Sequence, residues 1–423
     1  MTGSRLRGIF GRAAAGCLAL AATLAWVAPS LAAEPLKIGL GMAQTGPLAA
    51  NGKSALLAMQ IWRDDINAKG GLLGRPVQLV YYDDQSSPST VPGIYTKLLD
   101  VDKVDLVVGG YATNMLAPAM PVVMQHNMVF IGLLGLAVNS QFKYPKYFAM
   151  IASGPQPKTA FTKGFFEVAL AQSPKPRTVA IVAADAEFSK NASDGARENA
   201  KAAGLKIVYD RTYPPATTDY TPIVRAIQAA NPDIVVICSY PLDSVGMVRA
   251  ANEVGLKPKM MGGGMVGLQT TSVKTQLGPL LNGIVNFDFW LPVEKMKFPG
   301  VEEMLSKYQA KAPAENVDPL GYYMTPFAYS QLQVLGDAVS AVGSLDQDKI
   351  AQYIHTHTFK TVLGDIAFAE NGEWSKSRVI QIQFHDIKGN GLDQFREMAT
   401  QTVVYPPEYA SGKPIYPYEK AKQ

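Results

Sequence analysis

Apolar positions along this chain follow two rhythms that alternate. Leu36–Met42 is a short apolar run of the length of one strand. After a polar loop, Ala55, Met59, Trp62 and Ile66 recur at offsets 0, 4, 7 and 11, on one face of a helix. Gly70 and Gly71 stop that helix, and Val77, Leu79 and Tyr81 then alternate as a second strand leading to Asp83-Asp84-Gln85. The pattern continues with a helix near 90–102, a buried strand Leu106–Gly109, a helix near 114–126 and a strand Met128–Leu133. A second series begins near 155. It predicts strands at 178–184, 206–212, 233–240 and 284–289, and helices near 158–172, 190–203, 219–230 and 243–255. Each link between strands is long enough for a crossover helix, so the sheets should be parallel. The fold class is α/β, with two doubly wound (Rossmann-like) lobes.

Residues 300–356 read as helices, including Pro326–Val342. Ile366–Phe368 and Val379–Phe384 read as late strands around the turn Glu370-Asn371-Gly372. The segment 405–418 holds four tyrosines and four prolines, which predicts an extended tail laid over a lobe surface. Open parallel sheets bind ligands beyond the carboxyl ends of their strands. Two facing lobes therefore make a cleft, entered by the loops 43–53, 83–88, 110–114, 132–139, 184–190, 239–243 and 262–267.

The N-terminus adds a compartment. Arg5, Arg7 and Arg12 precede an apolar run from Ala13 to Ala28, then Pro29 and the small residues Ser30 and Ala32. This is the layout of a cleaved secretory signal over 1–32, and the run is too short for a membrane span. Cys17 stands at the start of the run rather than its end, which disfavours a lipoprotein signal. The charge of +4 less the three leader arginines leaves +1, so nothing marks a nucleic-acid partner. Cys238 is then the one remaining cysteine, and its place in the apolar run Ile234–Cys238 makes it a small buried hydrophobe.

Motifs for catalysis are weak. Gly262-Gly263-Gly264-Met265-Val266-Gly267 satisfies G-x-G-x-x-G, but it comes late in the second lobe and its nearest following acid is Asp288. It reads as a permissive loop near the cleft. His355 and His357 share a strand face but have no carboxylate or thiolate beside them for a metal. His126 reads as a helix cap or surface residue. The nucleophile elbow G-x-S-x-G does not occur. Adjacent Asp83 and Asp84 point to opposite faces of a strand and serve better as loop hydrogen-bond acceptors than as an acid/base pair. No catalytic residue, metal or cofactor is expected.

Five features in order carry a resemblance. They are the export signal, Thr45-Gly46-Pro47, Asn67-x-x-Gly70-Gly71-x-x-Gly74, Tyr82-Asp83-Asp84, and Gly364-Asp365-Ile366-Ala367-Phe368 followed by Asn371-Gly372. Together they resemble the leucine/isoleucine/valine-type periplasmic binding proteins over about 36–395. The resemblance implies a periplasmic, monomeric clamp that closes on a small ligand and docks on the membrane permease of an ABC transporter. It implies crossovers near 149–155, 286–292 and 361–375. Lobe 1 would be 34–150 plus 290–365, lobe 2 151–289 plus 366–400, and the tail 401–423.

The resemblance also places the ligand site. The loop after the third strand carries Ala112 and Thr113, and Thr113 matches the family's hydroxyl. The next loop carries Leu134 and Leu136, where the family's second hydroxyl would stand; sliding the register puts Val138 there instead. Gly264 stands where the family has the carboxylate that pairs with a ligand ammonium, and Asn51 where some members have tryptophan. Phe188 and Tyr240 keep the aromatic walls, and Thr45, Asn51 and Thr113 would supply hydrogen bonds. The glycines at 262–264 should enlarge the pocket. A buried ammonium without a counter-charge is costly. The expected ligand is therefore not a zwitterionic amino acid but an aromatic or aliphatic carboxylate, or an amide. Asp185 and Glu187 are the acids that could still meet an ammonium. The alternatives are a true branched-chain amino acid binder and a sensory module for a membrane receptor.

Overall fold

A computed structural model describes residues 33–422; the leader expected over 1–32 lies outside the described residues. Lobe 1 opens with β1 (Leu36–Met42), α1 (Ala49–Ala68), β2 (Val77–Asp83), α2 (Val91–Thr96), β3 (Leu106–Tyr111), α3 (Thr113–Gln125), β4 (Phe130–Leu133), α4 (Asn139–Phe142) and β5 (Tyr147–Ala149). Its five strands lie in the order β2-β1-β3-β4-β5, every pair parallel. All six residues of β3 are buried, as a strand covered on both faces requires.

The chain then crosses to lobe 2. There it forms α5 (Pro157–Leu170), β6 (Thr178–Ala184), α6 (Glu187–Ala202), β7 (Lys206–Tyr213), α7 (Thr221–Ala230), β8 (Ile234–Ser239), α8 (Pro241–Val254), β9 (Met260–Met265), α9 (Thr271–Leu277) and β10 (Val285–Asp288). It returns for α10 (Val301–Glu315), α11 (Thr325–Val342), α12 (Gln347–Thr356) and the small antiparallel pair β11 (Phe359–Thr361) and β12 (Gly364–Ile366). A third passage leads to β13 (Ile380–Phe384), α13 (Asp393–Arg396) and β14 (Gln401–Tyr405). The second sheet runs β14-β13-β10-β9-β8-β6-β7; β13 pairs antiparallel with both β10 and β14, and the other pairs are parallel.

Two expectations change here. The glycines 262–264 are not a loop. They are the middle of β9, with Gly264 opposite Cys238 and Gly262 opposite Val285. The tail is not simply draped over a surface. Its first residues form β14, and Gln383 of β13 donates to Ile415 O at 2.8 Å and accepts from Ile415 N at 2.6 Å.

The sequence motifs hold the loops. Asn67 bonds both ways with Val77, Nδ2 to the carbonyl at 2.9 Å and Oδ1 from the amide at 2.6 Å, so α1 is tied to the start of β2. Asp83 accepts from the amides of Gln44 and Gln85, both at 2.8 Å, and from the Thr45 hydroxyl at 2.7 Å. Gly372 has φ +77°, and a Cβ there would meet Tyr147 O at 1.9 Å, so the third passage lies directly on β5. In α11 the buried Gln331 donates to Gly109 O and Ile131 O, stitching the helix to β3 and β4.

Candidate functional site

The carboxyl ends of β3 and β4 in lobe 1 face those of β8 and β9 in lobe 2. Between them lies a chamber walled by Tyr111, Ala112, Thr113, Leu134 and Tyr323 from lobe 1 and by Phe161, Phe188, Tyr240, Val266 and Phe287 from lobe 2, with Ile151 and Phe289 from the crossing segments. Its rings interlock. Phe188 meets Tyr240 edge-on at 5.7 Å and Phe161 edge-on at 5.4 Å, and Phe289 stacks on Tyr323 at 6.4 Å and 10°. Such pairs add about 0.5–1.5 kcal/mol each beyond area burial. The chamber measures only about 10 Å³, room for roughly one water.

None of the twelve wall residues carries a charged side chain. The polar atoms are the Thr113 hydroxyl and the phenols of Tyr111, Tyr240 and Tyr323. Burial pushes the Tyr111 phenol up to about 12 and raises those of Tyr240 and Tyr323, so all three stay protonated and can donate. The wall also includes the start of α3. Ala112, its cap, holds φ 87° and ψ 148°, a region natural to glycine, and Leu134 holds φ 51°. The positive end of the α3 dipole therefore stands at the chamber wall, where it favours an anion.

The sequence-derived site residues divide. Ala112, Thr113, Leu134, Phe188 and Tyr240 are brought together around the chamber. Thr113 Oγ1 accepts from the Leu136 amide at 2.9 Å and retains its own proton for donation. Tyr240 donates to Asn114 Oδ1 across the cleft at 3.2 Å and accepts from the Phe188 amide at 3.3 Å. Four residues stand elsewhere. Thr45 is exposed and its hydroxyl is taken by Asp83. Asn51 is 2% exposed and acts one step back, donating to Tyr111 Oη at 3.0 Å. Leu136 is buried off the chamber, and its carbonyl accepts from Asn191 of lobe 2 at 3.0 Å. Gly264 lies inside the second sheet.

The glycines do not enlarge the chamber. A Cβ at Gly262 would strike Val285 O at 2.0 Å, at Gly263 it would meet the Phe165 ring at 3.2 Å, and at Gly264 Cys238 Sγ at 3.0 Å. The space freed by the missing side chains is filled by neighbours. Asp185 pairs with Lys190 at 2.5 Å, and Glu187 is half-buried, its carboxyl raised by desolvation. Neither acid belongs to the chamber wall.

Sequence reasoning missed Tyr111, Phe161, Phe287, Phe289 and Tyr323. Phe287 and Phe289 alternate on a predicted strand and so share a face, a signal that was present. Tyr323 precedes α11 from distant sequence, and nothing local marks it. The histidines serve locally. His126 bonds Val122 O and Asp100 at the end of α3, its ring raised above the usual histidine value mainly by those bonds. His357 stacks on Tyr353 at 3.7 Å. Among the described residues no cluster of three or more His, Cys, Asp or Glu could hold a metal.

Against known proteins, residues 35–381 match the profile of the periplasmic binding protein family. The leucine-, isoleucine-, valine-, threonine-, and alanine-binding protein of Pseudomonas aeruginosa is 24% identical over 349 residues, 81% of this chain and 88% of that one. Two solved structures share the fold. The branched-chain amino acid transporter substrate binding protein LivJ of Streptococcus pneumoniae, in complex with isoleucine, superposes with TM-score 0.69 at 20% identity, covering 84% of this chain and 97% of that one. A solute binding protein of an ABC transporter from R. palustris, in complex with 4-hydroxybenzoate, gives TM-score 0.71 at 19% identity, covering 84% and 94%.

Proposed function

The chain belongs to the periplasmic binding protein family, of the branched-chain amino acid type, and from that premise we propose that it captures a small carboxylate lacking an ammonium group. The family binds solutes and performs no catalysis. Here the bound ligand would be handed to the membrane permease of an ABC importer, from a periplasmic location reached through a cleaved leader. One observation carries the ligand class: the interlobe chamber joins a helix N-terminus and a free hydroxyl proton at Thr113 to aromatic walls without a charged side chain. A carboxylate finds donors there, an aryl or alkyl body finds rings, and an ammonium finds no counter-charge. The 4-hydroxybenzoate in the R. palustris relative fits this chemistry, whereas the amino acids named for other relatives need a partner for their ammonium.

The mechanism is population shift. Lobe 1 offers the start of α3, lobe 2 offers Phe188 and Tyr240, and a ligand touching both stabilises the closed form by its differential affinity. A chamber of about 10 Å³ must widen to admit any such ligand, so Tyr240 and Phe188 move or the lobes part before binding.

A thermal-shift series on the purified protein tests the ligand class. Benzoate, 4-hydroxybenzoate and aliphatic carboxylates are expected to raise the melting temperature in a concentration-dependent way, while leucine, isoleucine and valine leave it unmoved. Shifts from the amino acids at micromolar concentration, with none from the carboxylates, would return the chain to the amino acid reading.

A further inference from the structure

Beyond the chamber the cleft widens into a vestibule of about 500 Å³ between the lobes. Lobe 1 contributes Pro47 and Leu48, and lobe 2 contributes Tyr220, Leu242 and Val245, so the walls are largely apolar. Leu242 is 68% exposed and presents its side chain on this wall. Tyr240 lines both spaces, so the vestibule begins where the chamber ends.

Two charged side chains stand on the vestibule wall. Asp243 is 7% exposed and already accepts from the Tyr213 hydroxyl at 2.5 Å. Arg249 is exposed and enters none of the ion pairs formed among the described residues. The vestibule therefore offers apolar walls and one available guanidinium, whose planar fork suits a carboxylate. Its size falls within the roughly 300–1,000 Å³ range of small-molecule sites, whereas the chamber falls far below it.

We infer that the vestibule is the outer half of the binding site and that the ligand is an elongated apolar dicarboxylate: one carboxylate at the start of α3, the body past Tyr240, and the distal carboxylate on Arg249. This rests on the carboxylate reading of the chamber and adds length and a second acidic end. Nothing in the chamber alone asks for either.

Titration calorimetry of the purified protein with benzoate, octanoate and octanedioate tests it. Each methylene buried in the vestibule should tighten binding about fourfold. Octanedioate is expected to bind at least tenfold tighter than benzoate and at least fivefold tighter than octanoate. Arg249→Gln, at an exposed position, should bring octanedioate and octanoate within twofold of each other. Leu242→Asp, also exposed, should weaken octanedioate more than tenfold. Benzoate binding as tightly as octanedioate, or an advantage of octanedioate that survives Arg249→Gln, overturns the vestibule while leaving the chamber reading intact. Failure of all three probes overturns the carboxylate reading and the vestibule with it.

Discussion

Strain at single residues marks the site. Ala112 holds a backbone conformation that only glycine adopts freely, at the cap of the helix whose N-terminus faces the chamber. Holding it there costs on the order of 1–3 kcal/mol. Ala112→Gly should raise unfolding stability by about 1 kcal/mol, after roughly 0.4–1 kcal/mol is returned through the more flexible unfolded chain. Urea unfolding checks it, and a loss of stability would mean the conformation is not strained. Glu373 is a second residue under stress. It is 1% exposed, both carboxylate oxygens are unpartnered, and burial raises its carboxyl from the ordinary value of 4.5 to about 8. The folded protein then holds this proton more tightly than the unfolded chain, so the associated stability is complete below pH 4.5 and is lost as pH rises toward 8. Asp84 and Asp288, each raised to about 6 mainly by burial, act in the same direction. Glu373→Gln should therefore reduce, without abolishing, the fall in denaturant midpoint between pH 5 and 8; an unchanged slope would show that Glu373 is ionised in the fold.

At the scale of elements, most strands and helices were legible because their apolar periods are strong. Leu36–Met42 is predicted and found without adjustment. The failure at β9 is instructive. Met260-Met261-Gly262-Gly263-Gly264-Met265 carries neither alternation nor β-branched residues, so its own sequence says loop. It is a strand because β8 and β10 flank it and offer it ladders on both sides. The glycines are then obligatory, since Gly262 sits at φ +134° with its missing Cβ against Val285 O. The tail differs for another reason. β14, Gln401–Tyr405, lies just before the prolines of 405–418, and it pairs with the edge that β13 presents. Removing residues 401–423 would bare that edge and uncover the ground beneath the buried Val403 and Tyr418. Such a truncation is expected to lower the melting temperature and to promote aggregation in light scattering; an unchanged melting temperature would make the tail dispensable.

For the whole molecule, hydrogen bonds across the cleft help hold the lobes together. Asn191 donates to Leu136 O at 3.0 Å, Tyr240 donates to Asn114 at 3.2 Å, and Thr271 donates to Asp318 from its amide at 2.6 Å and its hydroxyl at 2.8 Å. Each bond is worth about 1 kcal/mol net, or roughly fivefold in the closed-to-open ratio. Asn191→Ala should weaken ligand binding by about that factor and enlarge the radius of gyration in small-angle scattering, with the melting temperature of the lobes little changed. Equal compactness and equal affinity in the variant would remove Asn191 from the closure.

What the sequence determined by itself was the order of elements, the parallel doubly wound architecture, and five of the residues that meet at the chamber. The elements and the architecture follow from local periodicity, and the five residues were placed by the family resemblance that the loop motifs carry. The tertiary structure alone decided that Gly262–Gly264 form a strand, that Asn51 supports Tyr111 instead of reaching the chamber, and that Phe161, Phe287 and Tyr323 join its wall. It also decided that a vestibule opens past Tyr240. The reason is one of range. Periodicity reports which face of an element is apolar, whereas a cleft is made by elements more than a hundred residues apart, and their separation is set by packing that no single segment encodes.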